Sequence, residues 1–171
     1  MTAIVKASKN DIELLAGIAR TSFIESHGHS APAEDINAYL DEKYSDAAFV
    51  QELDEGNNIY HIIYYNGRAA GYSKIIMNCA YTGAAAGNIT KLERLYLLKD
   101  FYNLKLGMEL LQFNITLSKD NGQTGIWLYT WKENERAVNF YKKAGFTITG
   151  SHDFKISETH SNPNHLMFLR F

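Results

Sequence analysis

The stretch from Asn134 to Phe146 carries the residues of this chain that are best spaced for chemistry. It reads N-E-R-A-V-N-F-Y-K-K-A-G-F and places the amide of Asn134 and the phenol of Tyr141 on one short segment. A phenol with a pKa near ~10 can donate a proton to a departing anion whose acid has a pKa near ~8.5, provided that the two are close. Tyr141 is therefore a candidate general acid.

The same stretch predicts a helix from Asn134 to Ala144 with a marked start and end. The side chain of Asn134 can cap the first turn, and Gly145 stands where a left-handed residue would close the last one. Four apolar residues fall at helical spacing and predict one buried stripe: Ala137, Phe140, Tyr141 and Ala144. Such a stripe is typical of any core helix, so the spacing alone does not indicate a site.

Length and composition predict one globular domain over residues 1–171. Of these residues 46% are hydrophobic, and no run of about 18 apolar residues predicts a membrane span. The first residues lack a signal-peptide core and Cys79 is the single cysteine, which together predict a cytoplasmic protein without internal disulfides. A net charge of −2 argues against a nucleic-acid partner.

Strand and helix patterns alternate along the chain and end in two further strands, which predicts an α/β fold. We expect a mixed, mostly antiparallel central sheet of about seven strands, flanked by helices. The predicted strands are 3–6, 58–65, 68–77, 91–98, 125–131, 146–154 and 166–171, with Asn66-Gly67 as a hairpin turn. The predicted helices begin near Asn10, Pro32, Ser45, Leu104 and Asn134.

The segment from Thr21 to Ala33 breaks the helical pattern and is predicted to be a loop. It contains His27 and His29, a pair that could bind a metal ion. No cysteine or carboxylate nearby completes a ligand set, so we predict no metal and a loop that faces a substrate.

Acidic residues are concentrated in the segment 34–55, where Lys43 is the one basic residue. Two interpretations remain open: a solvated acidic face, or a field that attracts a cationic substrate. The acids are Glu34, Asp35, Asp41, Glu42, Asp46, Glu52, Asp54 and Glu55.

The sequence pattern N-x-x-A-x-x-F-Y-x-x-x-G-F resembles the C-terminal motif of the GCN5-related N-acetyltransferases, the GNAT superfamily. These enzymes move an acetyl group from acetyl-CoA to an amine. The resemblance implies acetyl-CoA as the cosubstrate, with Asn134 and Ala137 along its pantetheine arm and Lys143 near the 3′-phosphate. It also implies that Tyr141 protonates the departing CoA thiolate.

Residues 92–111 resemble the strand, loop and helix with which the superfamily binds CoA. The resemblance implies that the backbone of Leu95, Tyr96 and Leu97 pairs with pantetheine and the acetyl carbonyl, the N–H of Leu97 stabilising the oxyanion. A helix N-terminus presents unpaired N–H groups that can hold a pyrophosphate. The residues implied for it are Tyr102, Asn103, Leu104, Lys105, Leu106, Gly107 and Met108.

The family pattern in this loop is Q/R-x-x-G-x-G/A, and the chain departs from it twice. Tyr102 replaces the Gln or Arg, Lys105 replaces the first Gly, and Gly107 matches the last position. The loss of a glycine is harmless where the backbone stays right-handed, but prohibitive where it needs a positive φ or close approach of the phosphates.

The candidate general base is Glu93. With a period of two, Glu93 shares a strand face with Leu95 and Leu97 and would point toward the reacting centre. The alternatives are that Glu93 is an ion-paired surface carboxylate beside Arg68 or Lys91, that Tyr129 is the base, or that ordered water serves.

Four further segments of the sequence resemble segments of the PaiA-type spermidine/spermine N-acetyltransferases. They are T-S-F around Phe23, E-D-x-x-x-Y-L at 34–40, L-E-R-L-Y at 92–96 and G-S-H-x-F at 150–154. The resemblance implies a small primary amine as acceptor, polyamines first, and allows a homodimer, although Lys91 stands where relatives often carry a second Glu. The alternatives are a peptide or protein N-acetyltransferase and a non-catalytic CoA-binding protein of the same fold.

Overall fold

The Asn66-Gly67 turn closes the first long hairpin of the sheet. Both residues have positive φ, 49° and 77°, as the tight turn between right-handed twisted strands requires. In the computed structural model, which describes residues 1–85 and 87–171, this hairpin and five further strands form one sheet. The predicted turn is confirmed.

The sheet is mixed, with the strand order β1-β2-β3-β4-β5-β7-β6. Its strands are β1 (Thr2–Lys6), β2 (Asn58–Tyr65), β3 (Arg68–Ile76), β4 (Thr90–Leu97), β5 (Gly125–Trp131), β6 (Thr147–Lys155) and β7 (Ser161–Arg170). Among neighbouring strands only β4 and β5 are parallel. The helices are α1 (Ile12–His27), α2 (Ala33–Lys43), α3 (Asp46–Asp54), α4 (Leu106–Asp120) and α5 (Glu135–Lys143). The predicted α/β fold and its sheet are confirmed.

Helices cover both faces of the sheet, because the central strands β2, β3 and β5 have runs of consecutive buried residues and so bury side chains on both sides. On one face, Tyr60, Ile62 and Tyr72 pack against α1, α2 and α3. On the other, the strand residues Ile75 and Leu92 pack against Leu111 of α4 and Tyr141 of α5. The two clusters hold β4 between them, and β4 carries four residues of the predicted site: Glu93, Leu95, Tyr96 and Leu97.

Two predicted boundaries are wrong. The predicted loop 21–33 is helical as far as His27, because α1 continues with Ser22 and Phe23 buried on the same face. The last strand begins at Ser161 rather than Leu166, since Asn162 and Asn164 pair with β6 and are buried despite their polarity. Hydrophobic periodicity carries no signal for buried asparagines.

His61 is buried on β2 with 5% of its surface exposed, and its ring lies edge-on to Phe113 at 4.8 Å between centroids. Its Nδ1 has no hydrogen-bond partner in the described part of the chain. Burial, with a smaller contribution from Lys6, lowers the pKa of His61 to about 4.

We expect the free energy of unfolding to fall as the pH drops from 7.5 to 5. Unfolded His61 binds a proton below its ordinary pKa of 6.5, whereas folded His61 stays neutral down to about 4. At pH 5 this difference in proton binding lowers the free energy of unfolding by about 2 kcal/mol. Urea unfolding at both pH values measures it, and His61→Leu should reduce the difference by that amount. An unchanged difference would mean that folded His61 binds its proton freely.

Candidate active site

The strands β4 and β5 diverge and open a gap in the middle of the sheet. They pair only at Thr90 with Ile126 and at Lys91 with Trp127. Beyond that point, Leu92–Leu97 on one side and Tyr129–Trp131 on the other line a cavity of about 1020 Å³. A gap of this kind leaves strand backbone available to a ligand.

The backbone of β4 presents free groups to this gap. Leu98 donates its N–H to Ala70 of β3 at 2.9 Å. Hydrogen-bonded and non-bonded pairs alternate along an antiparallel ladder, so the N–H and C=O groups of Leu95 and Leu97 point away from β3. The backbone groups of Tyr96 point toward β3, and only its side chain reaches the cavity. The family resemblance had implied free backbone groups at Leu95, Tyr96 and Leu97, whereas in the structure Leu95 and Leu97 have them and Tyr96 does not.

A β-bulge changes the direction of Glu93. Lys74 pairs with Arg94, and the next residue, Ile75, pairs with Leu92, which leaves Glu93 without a partner on β3. Glu93 therefore turns away from the face of Leu95 and Leu97, and the prediction of a shared face is wrong.

Glu93 lies between two ammonium groups, those of Lys74 and Lys91. Burial raises the pKa of its carboxyl, but these two cations outweigh burial and hold the pKa at about 2. The ion pair with Lys91 that the sequence left open is present at 3.1 Å.

The loop before α4 adopts the backbone that a glycine would give. Asn103 and Lys105 have φ of 66° and 62°, and Lys105 is the N-cap of α4 with no side-chain cap. Lys105 is left-handed and the next residue, Leu106, begins the right-handed helix α4, and this change of hand at successive residues is the backbone of an anion-binding nest at a helix N-terminus. The sequence treated positive φ as prohibitive for Lys105, but the chain adopts it.

A cation also stands beside Tyr102. The guanidinium of Arg136 on α5 lies 3.5 Å from the centroid of the Tyr102 ring, and both residues line the cavity. Position 102 carries Gln or Arg in the family pattern, so α5 supplies a charge that the loop lacks. Sequence reasoning missed Arg136, because only the fold brings α5 beside this loop.

Four residues of the C-terminal motif face the cavity: Asn134, Ala137, Phe140 and Tyr141. The Oδ1 of Asn134 caps α5 by accepting from the N–H of Ala137 at 3.1 Å, as predicted, which leaves its amide NH₂ for a ligand. Tyr141 is 8% exposed, and burial raises the pKa of its phenol above the ordinary value. The phenol is therefore protonated at neutral pH.

The structure brings almost the whole predicted site together. Every predicted catalytic or cofactor-binding residue except Leu104 lines the one cavity. Leu104 is 42% exposed and is absent from the cavity wall. The described residues contain no group of three or more His, Cys, Asp or Glu placed to hold a metal ion. They also include no helix long and apolar enough to cross a membrane.

The side of the cavity away from the loop before α4, which we call the acceptor half, is lined by α1, α2, the start of β4 and the ends of β5, β6 and β7. His27 lines it and lies 5.7 Å from the Trp131 ring, while His29 contacts the same ring at 5.3 Å. Burial, followed by His29, lowers the pKa of His27 to about 4, so it is neutral at pH 7. The Oδ1 of Asn164, another residue that sequence reasoning missed, is buried here without a partner among the described residues.

We expect Lys105→Gly to stabilise the protein by about 1 kcal/mol, because a side chain at positive φ is strained. For a chain of this size the melting temperature should rise by about 2–4 °C. Lys105→Ala is the matched control, since it removes the ammonium group but keeps the strain. A lower melting temperature for Lys105→Gly would show that the Lys105 side chain, not the backbone, determines this loop.

The chain matches the model of the acetyltransferase (GNAT) family over residues 19–146. It is 27% identical over 155 residues to an uncharacterized N-acetyltransferase from the pepI 3′ region of Lactobacillus delbrueckii subsp. lactis, covering 91% of this chain and 90% of the relative. It is 29% identical over 159 residues to the spermidine N(1)-acetyltransferase of Thermoplasma acidophilum, covering 88% and 92%.

Solved structures show the same fold. The PaiA N-acetyltransferase of Thermoplasma acidophilum in complex with coenzyme A superposes with a TM-score of 0.81 at 21% identity, covering 100% of this chain and 99% of that one. The ribosomal-protein-S18-alanine N-acetyltransferase of Escherichia coli superposes with a TM-score of 0.72 at 16% identity, covering 99% and 94%. These structures show the shared fold, and the match to the family model over residues 19–146 establishes that the chain belongs to the GNAT family of acetyltransferases.

Proposed function

We propose that this chain transfers the acetyl group of acetyl-CoA to the primary amine of a small molecule. One observation carries the proposal: the free backbone of Leu95 and Leu97, the nest before α4 and the phenol of Tyr141 all face one cavity. Acetyl-CoA supplies an activated thioester there. The nest and the cations Lys105, Arg136 and Lys143 suit its phosphates, and the strand edge suits its amide-rich arm.

The residues divide the chemical work between two proton transfers. An amine of pKa ~10.4 is neutral about once in 2,500 at pH 7, a cost of roughly 4.6 kcal/mol that the site must lower. The neutral amine forms the new C–N bond, and the N–H of Leu97 stabilises the charge that develops on the carbonyl oxygen. As the C–S bond breaks, Tyr141 donates its proton to the thiolate. Burial keeps that proton on Tyr141 until then.

Glu93 remains the candidate acceptor of the amine proton, directly or through water. Its pKa of about 2 makes it a weak base that is ionised at every working pH. The acid limb of a pH–rate profile should therefore not report the titration of Glu93. Tyr129, which also lines the cavity, and ordered water remain alternatives.

The name of the Thermoplasma acidophilum spermidine N(1)-acetyltransferase supports a polyamine as acceptor. The acidic segment 34–55 does not add to that support, because Glu52 is the one acid of the eight that lines the cavity. The name of the Escherichia coli structure supports a protein α-amine as the second candidate. The sequence also left open a protein that binds CoA without catalysis.

Acetyl-CoA should raise the melting temperature, and incubation with small amines should release CoA thiol. At 100 times its Kd the ligand stabilises by about 2.7 kcal/mol. Thiol release with peptides alone would favour the protein acceptor. A rise in melting temperature without thiol release on any amine or peptide would favour the non-catalytic alternative, and no rise would contradict CoA binding.

We expect Tyr141→Phe to lower kcat by one or two orders of magnitude while the affinity for acetyl-CoA is retained, because only the proton donor is lost. Steady-state kinetics and thermal shift measure the two effects. Phe140→Leu, a neighbouring change in the same cavity wall, controls for altered packing. Wild-type turnover in Tyr141→Phe would remove Tyr141 from the mechanism.

A further inference from the structure

Five charged residues form an ion-pair cluster where β4 leaves β5: Glu52, Lys74, Lys91, Glu93 and Arg94. Lys74 binds both carboxylates, lying 2.8 Å from Glu52 and also contacting Glu93. Arg94 binds Glu52 at 3.3 Å and donates to the hydroxyl of Tyr60 at 2.8 Å. The cluster thus holds three cations and two carboxylates, which leaves one positive charge uncompensated.

Lys91 carries that excess charge. Lys74 and Arg94 are deeply buried, with side chains 5% and 10% exposed, and their partners surround them. Lys91 is 21% exposed, and among the described residues Glu93, which it shares with Lys74, is its one carboxylate partner. Its ammonium lies 5.3 Å from the centroid of the Trp127 ring and 5.7 Å from that of Tyr129, and these contacts fix it at the cavity wall.

The rest of the acceptor half does not reverse this charge. Lys43 and Lys155 also line the cavity, whereas the carboxylates that pair with them, Glu42 and Glu158, are exposed and lie outside it. Glu25 also lines the cavity, but its carboxylate accepts from the N–H of Lys99, which follows the end of β4, whereas Lys91 stands at the start of that strand. A polycation entering the acceptor half would meet like charge.

We propose that the acceptor is an amine that also carries a carboxylate, which binds the ammonium group of Lys91. This inference rests on the proposed acetyl transfer and specifies its acceptor. An anionic oxygen group makes a charge-assisted hydrogen bond to Lys91 and neutralises the excess charge of the cluster. A polyamine offers no such group.

The same excess charge assists the chemistry. A positive charge near a bound ammonium disfavours its protonated form and lowers the pKa of the amine. The acceptor then loses its proton at a lower cost, with Glu93 or water as the recipient. The carboxylate of the acceptor holds the molecule in place while its amine is deprotonated, so binding and activation use two different groups of one molecule.

The test compares amines that differ by one acidic group. The probes are cadaverine and lysine, tyramine and tyrosine, ethanolamine and phosphoethanolamine, and spermidine, with kcat/KM measured by thiol release. We expect the carboxylate-bearing members to exceed their partners by about ten-fold, and Lys91→Glu to reverse the preference. A preference for phosphoethanolamine over lysine and tyrosine would replace carboxylate by phosphate and overturn the proposal as stated.

Control variants separate the site from net charge and folding. Lys6→Glu makes the same charge change on β1, at the far edge of the sheet, and should leave the preference intact. Lys91→Met removes the charge without adding an acid and should abolish the preference. Thermal unfolding of each variant confirms that it is folded. Unchanged preference in both Lys91 variants, or a wild-type preference for spermidine and cadaverine, would overturn the inference.

Binding of the same probes to the CoA complex distinguishes this inference from the proposed function. Tighter binding of lysine than of cadaverine, lost in Lys91→Glu, would support the inference even if no probe is acetylated, and would then count against the transfer reaction. Turnover with the opposite preference would leave the transfer reaction standing and remove the carboxylate. Equal binding of both members would also overturn the inference.

Discussion

The separation of β4 from β5 is the constraint on which the rest of this structure depends. Two residue pairs join the strands, and beyond Lys91 each strand turns its backbone toward open space. Unpaired strand backbone inside a protein is costly unless a ligand or water satisfies it. The divergence thus creates a cavity whose wall already has the hydrogen-bonding pattern of a missing strand, and pantetheine, with its two amide groups, suits that pattern.

Beside this gap, buried cations are paired with carboxylates. Lys74 and Arg94 are nearly buried, and burying a charge without a partner would cost several kcal/mol, so Glu52 and Glu93 are required beside them. Those carboxylates are consequently occupied by the protein itself. Glu93 loses most of its basicity to its neighbours, and the acceptor half of the cavity keeps a positive excess despite the acidic segment 34–55.

The loop before α4 shows how a departure from a family pattern can preserve its geometry. Lys105 replaces a glycine yet takes the left-handed backbone, at a cost of about 1–2 kcal/mol that the surrounding fold offsets. Arg136 stands over Tyr102 from another helix and restores a cation near the loop. The two departures from the family pattern therefore leave the left-handed backbone at the start of α4 and a nearby cation in place.

The sequence by itself determined the fold class and most strand and helix positions, because periodicity, caps and the Asn66-Gly67 turn are local signals. Asn134 caps its helix as predicted, and Tyr141 faces the cavity with the predicted strand. Only the tertiary structure decided where Glu93 points, since the bulge depends on how β3 and β4 pair, and pairing is not encoded by a period of two. Only it showed that seven of the eight acids of segment 34–55 lie outside the cavity and that Lys91 carries the excess charge. Charge along a chain is visible in the sequence, but the field in a cavity depends on which charges the fold pairs and which it leaves facing the ligand.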